Sequence, residues 1–176
     1  VEFQSETTVE EFLEEIVFEA GQLLTEFARS EEFNSILATS FGTEYDAVVA
    51  GNLQEALYTG AFLDGIAIEV LPNAELEGAL GAYAGATNII YLSQGLLNSS
   101  PETATAVLLE EVGHAIDEFL NDSDSAGDEG TIFASQISRG DKEAKALVVS
   151  VPWLLAPFDK KAIYSDLTSS ISPPNL

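Results

Sequence analysis

Apolar positions recur at helical spacing near the start of the chain. Phe12, Leu13, Ile16, Val17, Ala20, Leu23, Leu24 and Phe27 fall on one side of a predicted helix that ends at Arg29, and Thr8 with Glu11 forms a capping box at its start. Its Glu10, Glu11, Glu14, Glu15 and Glu19 read as a solvated acidic face. A short helix is predicted over Glu31 to Leu37, and one or two more over Phe41 to Gly65, interrupted near Gly51. The pattern changes at Ile66. IAIEVL is rich in branched residues, Pro72 and Asn73 supply a turn, and TNIIYLS, Thr87 to Ser93, reads as a second strand after a Gly/Ala-rich stretch. Gly78, Gly81 and Gly85 in that stretch suit either close approach of another backbone or a loose hairpin.

The stretch Pro101 to Leu120 is predicted as a helix capped by Ser100, with Pro101 at its first position and Glu102 complementing the dipole. Val107, Leu108, Leu109, Val112, Ala115, Ile116 and Phe119 leave few polar sides, so this helix is expected to run through the core. After the polar NDSDSAGDEG a helix is expected from Glu129 through Ile132, Phe133 and Ile137. Another is expected from Lys142 to Val149 behind an Asp141 cap, then an apolar segment from Val151 to Phe158 broken by prolines, and a last short helix to Leu167. The fold class is α+β: one mostly helical domain over residues 1–176, with a small sheet or hairpin preceding a central helix. A chain that begins at Val1 and ends in SSISPPNL is expected to be a domain of a longer protein.

Charge narrows the partners. With 30 acidic and 6 basic side chains the formal net charge is -24, and only Arg29 among the Lys and Arg residues precedes Arg139. Such a surface repels phosphate backbones and anionic lipid heads, so neither nucleic acid nor a membrane surface is an expected partner. It attracts cations, although acidity also serves solubility in salty or calcium-rich surroundings. The absence of cysteine removes disulfides and thiolate chemistry. The apolar run Ala146 to Phe158 is short for a bilayer span and contains two prolines. No signal peptide is visible at the N-terminus.

The chemistry centres on Glu110, Glu111 and His114, the only histidine, within E-E-V-G-H. Glu110 and His114 lie one turn apart on one helical face. This pentad resembles the H-E-x-x-H helix of the zincin metallopeptidases, in which two ligands one turn apart grip the metal and the intervening Glu polarises water. The resemblance implies that His114 is the second ligand, Glu111 the general base and Gly113 the small residue before that ligand, with Glu110 standing where the family has His. A third ligand from a later helix, as in gluzincins, matches Glu129 in GDEGTIF, and Asp128 matches an outer-shell carboxylate that holds His114 or Glu110. The zincin pattern further implies an edge strand before the helix, here TNIIYLS, with a peptide or protein substrate lying along it as an added strand.

The run TNIIYLS, LLEEVGH and GDEGTIF, from Ile66 to Gly140, also looks like a domain of large secreted bacterial, particularly cyanobacterial, proteins with calcium-binding repeats. That resemblance implies a secreted or cell-surface parent protein. The expected cofactor is a divalent metal, zinc foremost and calcium as the alternative, because two carboxylates beside one imidazole also suit harder cations and acidify water less than two histidines do. The expected activity is metal-dependent peptide hydrolysis, with self-processing of the parent included. The competing reading is a non-catalytic cation-binding or structural module, or a core histidine hydrogen-bonded to Glu110 or Glu129. A di-iron site would need a second histidine. Asp122, Asp124 and Asp128 form a separate cation candidate, but Ala126 and Phe133 stand where an EF-hand needs oxygen ligands, so an acidic turn is the expectation. Tyr83, Tyr91 and Tyr164 are candidates for stabilising an oxyanion.

Overall fold

The computed structural model describes residues 8–121 and 128–138. The expected helices and apolar segment beyond Asp141, together with Asp122, Asp124 and Tyr164, lie outside these residues. The described chain is α+β. Helices α1 (Val9–Arg29), α2 (Phe33–Phe41), α3 (Ala47–Thr59) and α4 (Ala61–Asp64) come first, then strands β1 (Ala67–Leu71), β2 (Gly81–Ala84) and β3 (Ile89–Ser93). A short 3-10 turn (Gln94–Asn98) leads into α5 (Pro101–Leu120), and α6 (Glu129–Ile137) follows.

Local chemistry explains most boundaries. Thr8 accepts from the Glu11 amide while Glu11 reaches back to Thr8, closing the capping box of α1. The five glutamates of its outer face are exposed. Asp46 caps α3, which runs straight through Gly51; the expected interruption falls instead at Gly60, whose φ of 84° provides the left-handed C-cap. Ser100 and Pro101 start α5 as expected.

The sheet differs from a simple hairpin of two strands. Its order is β1-β3-β2, with β1 parallel to β3 and β2 antiparallel to it. TNIIYLS is therefore the central strand, paired on both sides, and cannot receive a substrate as an added strand. The antiparallel edge strand before α5 is GAYA, Gly81 to Ala84. One face of the sheet, carrying Tyr83, Ile90 and Leu92, joins the main core. The other face packs Ala82, Ala84 and Tyr91 around Leu76. Ile16, Leu24, Leu53, Leu57, Leu108, Leu109, Val112 and Ile116, all 2 % exposed or less, fill the centre between α1, α3 and α5. Phe133 of α6 is fully buried and meets Phe27 edge-on, with ring centroids 5.3 Å apart. Phe119 alone leaves the expected core set: it is 46 % exposed and touches Phe62 at the surface. Among the described residues, no helix is long and apolar enough to cross a membrane.

Candidate active site on the central helix

At about 100° per residue, α5 presents three faces. Thr105 donates to Glu19 of α1 at 3.3 Å, which fixes the first face, shared by Leu108, Leu109, Val112 and Ile116. The second, carrying Glu110, Gly113 and Asp117, faces α6. The third, carrying Val107, Glu111 and Glu118, faces β2. His114 stands at the seam between the second and third, and is half-buried.

Two glycines bring α5 and α6 together. A Cβ placed on Gly113 would lie 2.7 Å from the Gly130 Cα, and one placed on Gly130 would lie 2.7 Å from His114 Nε2 and against the Glu110 carbonyl oxygen. The helices thus touch backbone to backbone, and the imidazole rests on the first turn of α6. Glu129 opens that turn. Glu110, Glu111, Asp117 and Glu129 are only 6 %, 2 %, 4 % and 6 % exposed, so four carboxyl groups are withdrawn from water along one pair of helices. Asp128 does not turn to His114 or Glu110: its carboxylate accepts from the Thr131 hydroxyl at 2.9 Å and staples the start of α6. Asp117 accepts from Asn121 Nδ2 at 2.7 Å, and the same amide donates to the Phe41 carbonyl, tying the end of α5 to α2.

The β2 side is built the same way. A Cβ on Gly81 would sit 2.9 Å from Glu111 Cγ and 3.1 Å from its Oε1, and one on Gly85 would fall within the Glu118 carboxylate. The glycines of the Gly/Ala-rich stretch therefore receive side chains of α5 rather than another backbone, while Gly78, at φ 89°, makes a turn. Tyr83 lies on this side of the sheet. Its hydroxyl donates to Asn88 Oδ1 at 3.0 Å, and burial, with the charge and hydrogen bond of Glu118, pushes its pKa up to about 12. Tyr91 lies on the opposite sheet face, in the small cluster, where burial and then the nearby Glu69 raise its pKa. Its position corrects the expectation that it could stabilise an oxyanion beside α5; Tyr83 is the candidate on the correct side.

The donor chemistry of Glu110, His114 and Glu129, one imidazole and two carboxylates, suits a divalent cation. Among the described residues, however, no group of three or more His, Asp or Glu side chains is gathered closely enough to hold a metal ion. Asp117, Glu118 and Gly130 carry no recognisable motif, and the place of Gly113 in the pentad says nothing of its meeting with Gly130; an acid among the apolar positions three residues after His114 is the available signal for Asp117. No known family model matches the chain, and no curated protein and no solved structure is significantly similar to it.

Proposed function

We propose that the chain is a metal-dependent peptidase of zincin-like design, in which Glu111 handles the proton of the attacking water and Glu110, His114 and Glu129 hold a divalent cation. The observation that carries this reading is the placement of Glu111. Its carboxyl group, almost wholly withdrawn from water, lies against Gly81 in the antiparallel edge strand that precedes the helix. A general base must stand beside the strand along which the peptide lies.

When bound, the cation would polarise the scissile carbonyl and acidify water, less strongly than with two histidine ligands. The rest belongs to the chain. Glu111 accepts the water proton and returns it to the leaving amine, while His114 is held in orientation by the first turn of α6 at Gly130. The Tyr83 hydroxyl gives its one proton to Asn88 Oδ1, so it would serve a developing oxyanion only by turning away from Asn88. As part of a secreted or cell-surface parent protein, the domain would act on a peptide or protein, that parent included.

Glu111→Gln is expected to fold and retain its cation but lose peptide cleavage, read by mass spectrometry on a peptide library. Undiminished cleavage by that variant removes Glu111 from the mechanism. A second reading is a non-catalytic cation-binding or structural module, in which the buried Asp117, tied through Asn121 to the Phe41 carbonyl, fixes α5 to α2 without chemistry. Under it, calcium raises the melting temperature and no peptide is cut.

A further inference from the structure

The two edges of the sheet differ. Every residue of β2 is buried, whereas β1, at the opposite edge, has Ala67 and Glu69 exposed and Ile68, Val70 and Leu71 half-buried. The parallel ladder fixes which backbone groups of β1 are engaged. Ala67 donates its amide to the Asn88 carbonyl at 3.3 Å and pairs with Ile89, so Ala67, Glu69 and Leu71 turn their N–H and C=O toward β3. Ile68 and Val70 then direct theirs outward. Among the described residues no strand lies on that side and no backbone group takes them. Exposed edges are commonly blunted by an internal lysine or proline; β1 has neither, and Pro72 stands only after its end. Its side chains form two rows. Ile68 and Val70, in register with Ile90 and Leu92, lie on the face that joins the main core, and Glu69, in register with Tyr91, lies on the other.

We propose that the outer edge of β1 binds an extended segment of another protein, with apolar and basic residues in alternation, as an added strand. The backbone of Ile68 and Val70 supplies the ladder bonds, and the two side-chain rows set the preference. Apolar residues of the partner prolong the row of Ile68 and Val70, while a lysine or arginine between them comes beside Glu69. The surroundings favour that charge. Asp64 ahead of the strand and Glu75 and Glu77 behind it are exposed, and the one basic side chain among the described residues, Arg29, is engaged with Tyr58. A second copy of the chain fits poorly. Antiparallel pairing about a two-fold axis at Glu69 sets that carboxylate against its twin. An axis at Ile68 calls on the Ile66 amide, already given to the Leu63 carbonyl at 3.1 Å, and an axis at Val70 calls on Pro72, which has no amide. The net charge of -24 adds repulsion between copies. This edge lies across the sheet from Glu111 and does not depend on the peptidase reading.

A synthetic peptide of alternating valine and lysine, with its valine and glutamate counterpart as control, tests this on the full chain. Hydrogen exchange resolved to single amides should find Ile68 and Val70 fast in the free protein and Glu69 and Leu71 slow, and the lysine peptide should slow Ile68 and Val70 about tenfold or more. Val70→Pro removes an outward donor without touching a bond to β3, so it should weaken the lysine peptide about tenfold in fluorescence anisotropy while the domain stays folded. Glu69→Lys, at an exposed position, should weaken the lysine peptide and turn the preference toward the glutamate one. Slow exchange at Ile68 and Val70 without peptide overturns the proposal, because the edge is then already covered by this chain or by a second copy. Binding of the lysine peptide that either substitution leaves undiminished overturns it as well, since net charge alone then accounts for the attraction.

Discussion

Helix α5 has two kinds of neighbour, and they obey different rules. Toward α1 and α3 it presents Leu108, Leu109, Val112 and Ile116, all fully buried against Ile16, Leu24, Leu53 and Leu57. Toward α6 and β2 it presents Glu110, Glu111 and Asp117, also withdrawn from water, and its contacts there run through glycines: Gly81 against the Glu111 side chain, and Gly130 against the Glu110 carbonyl and His114. The first side gains free energy from every methylene it removes from water. The second spends some of that gain, because a carboxyl group is costly to bury and a glycine in a helix contributes less than alanine would. A helix with such unlike sides is anchored by one and held in close backbone contact by the other.

The contrast can be broken from the apolar side first. Leu108→Ala should lower unfolding free energy by about 3 to 4 kcal/mol in urea titrations, since a leucine at the centre of a close-packed core leaves a cavity behind. A loss under about 1 kcal/mol would mean that this side does not carry the stability. Gly130→Ala comes next. Its methyl group meets His114 and the Glu110 carbonyl, so α6 must move away, at an expected loss of about 2 kcal/mol after the better helix propensity of alanine is set against the overlap. That variant should also lose bound cation, which Leu108→Ala at a permissive temperature should not.

The smallest effect concerns Tyr83. A phenol whose pKa is raised from 10.0 to about 12 in the fold stays neutral there while it ionises in the unfolded chain. Its contribution to stability is therefore complete below pH 10 and is lost as pH climbs through 12. Ultraviolet titration of the protein against Tyr83→Phe should assign a late tyrosine to Tyr83, and Glu118→Gln should bring that one part of the way down, burial retaining the remainder. A late tyrosine unaffected by Glu118→Gln would detach Glu118 from the β2 side of the contrast.

What could be read from the sequence follows the same division. The apolar period of α1, the capping box at Thr8, the Ser100-Pro101 start of α5 and the Glu129 start of α6 are local signals, and they stand where expected. The α+β class follows from them. The misreadings are non-local. GAYA has the composition of a loop and becomes a strand only because β3 pairs with one side of it and α5 supports its face; with β2 unseen, TNIIYLS looked like the edge. Gly51 was weighed as a helix breaker, but a lone glycine lowers propensity without ending a helix, whereas Gly60 ends α3 through its positive φ. The meeting of Gly113 with Gly130, on which the site is built, is a contact across the acidic loop and leaves no periodic trace in either segment.

The central claim is that the polar side of α5 exists to hold a divalent cation beside Glu111. Elemental analysis of the full chain, purified without chelator or affinity metal, tests it most directly. The account predicts zinc, manganese or another divalent ion at close to one per chain, lost in His114→Ala and retained in Glu111→Gln. A protein that carries no metal, and takes up none on addition of zinc, manganese or calcium, would contradict it and leave His114 as a core histidine.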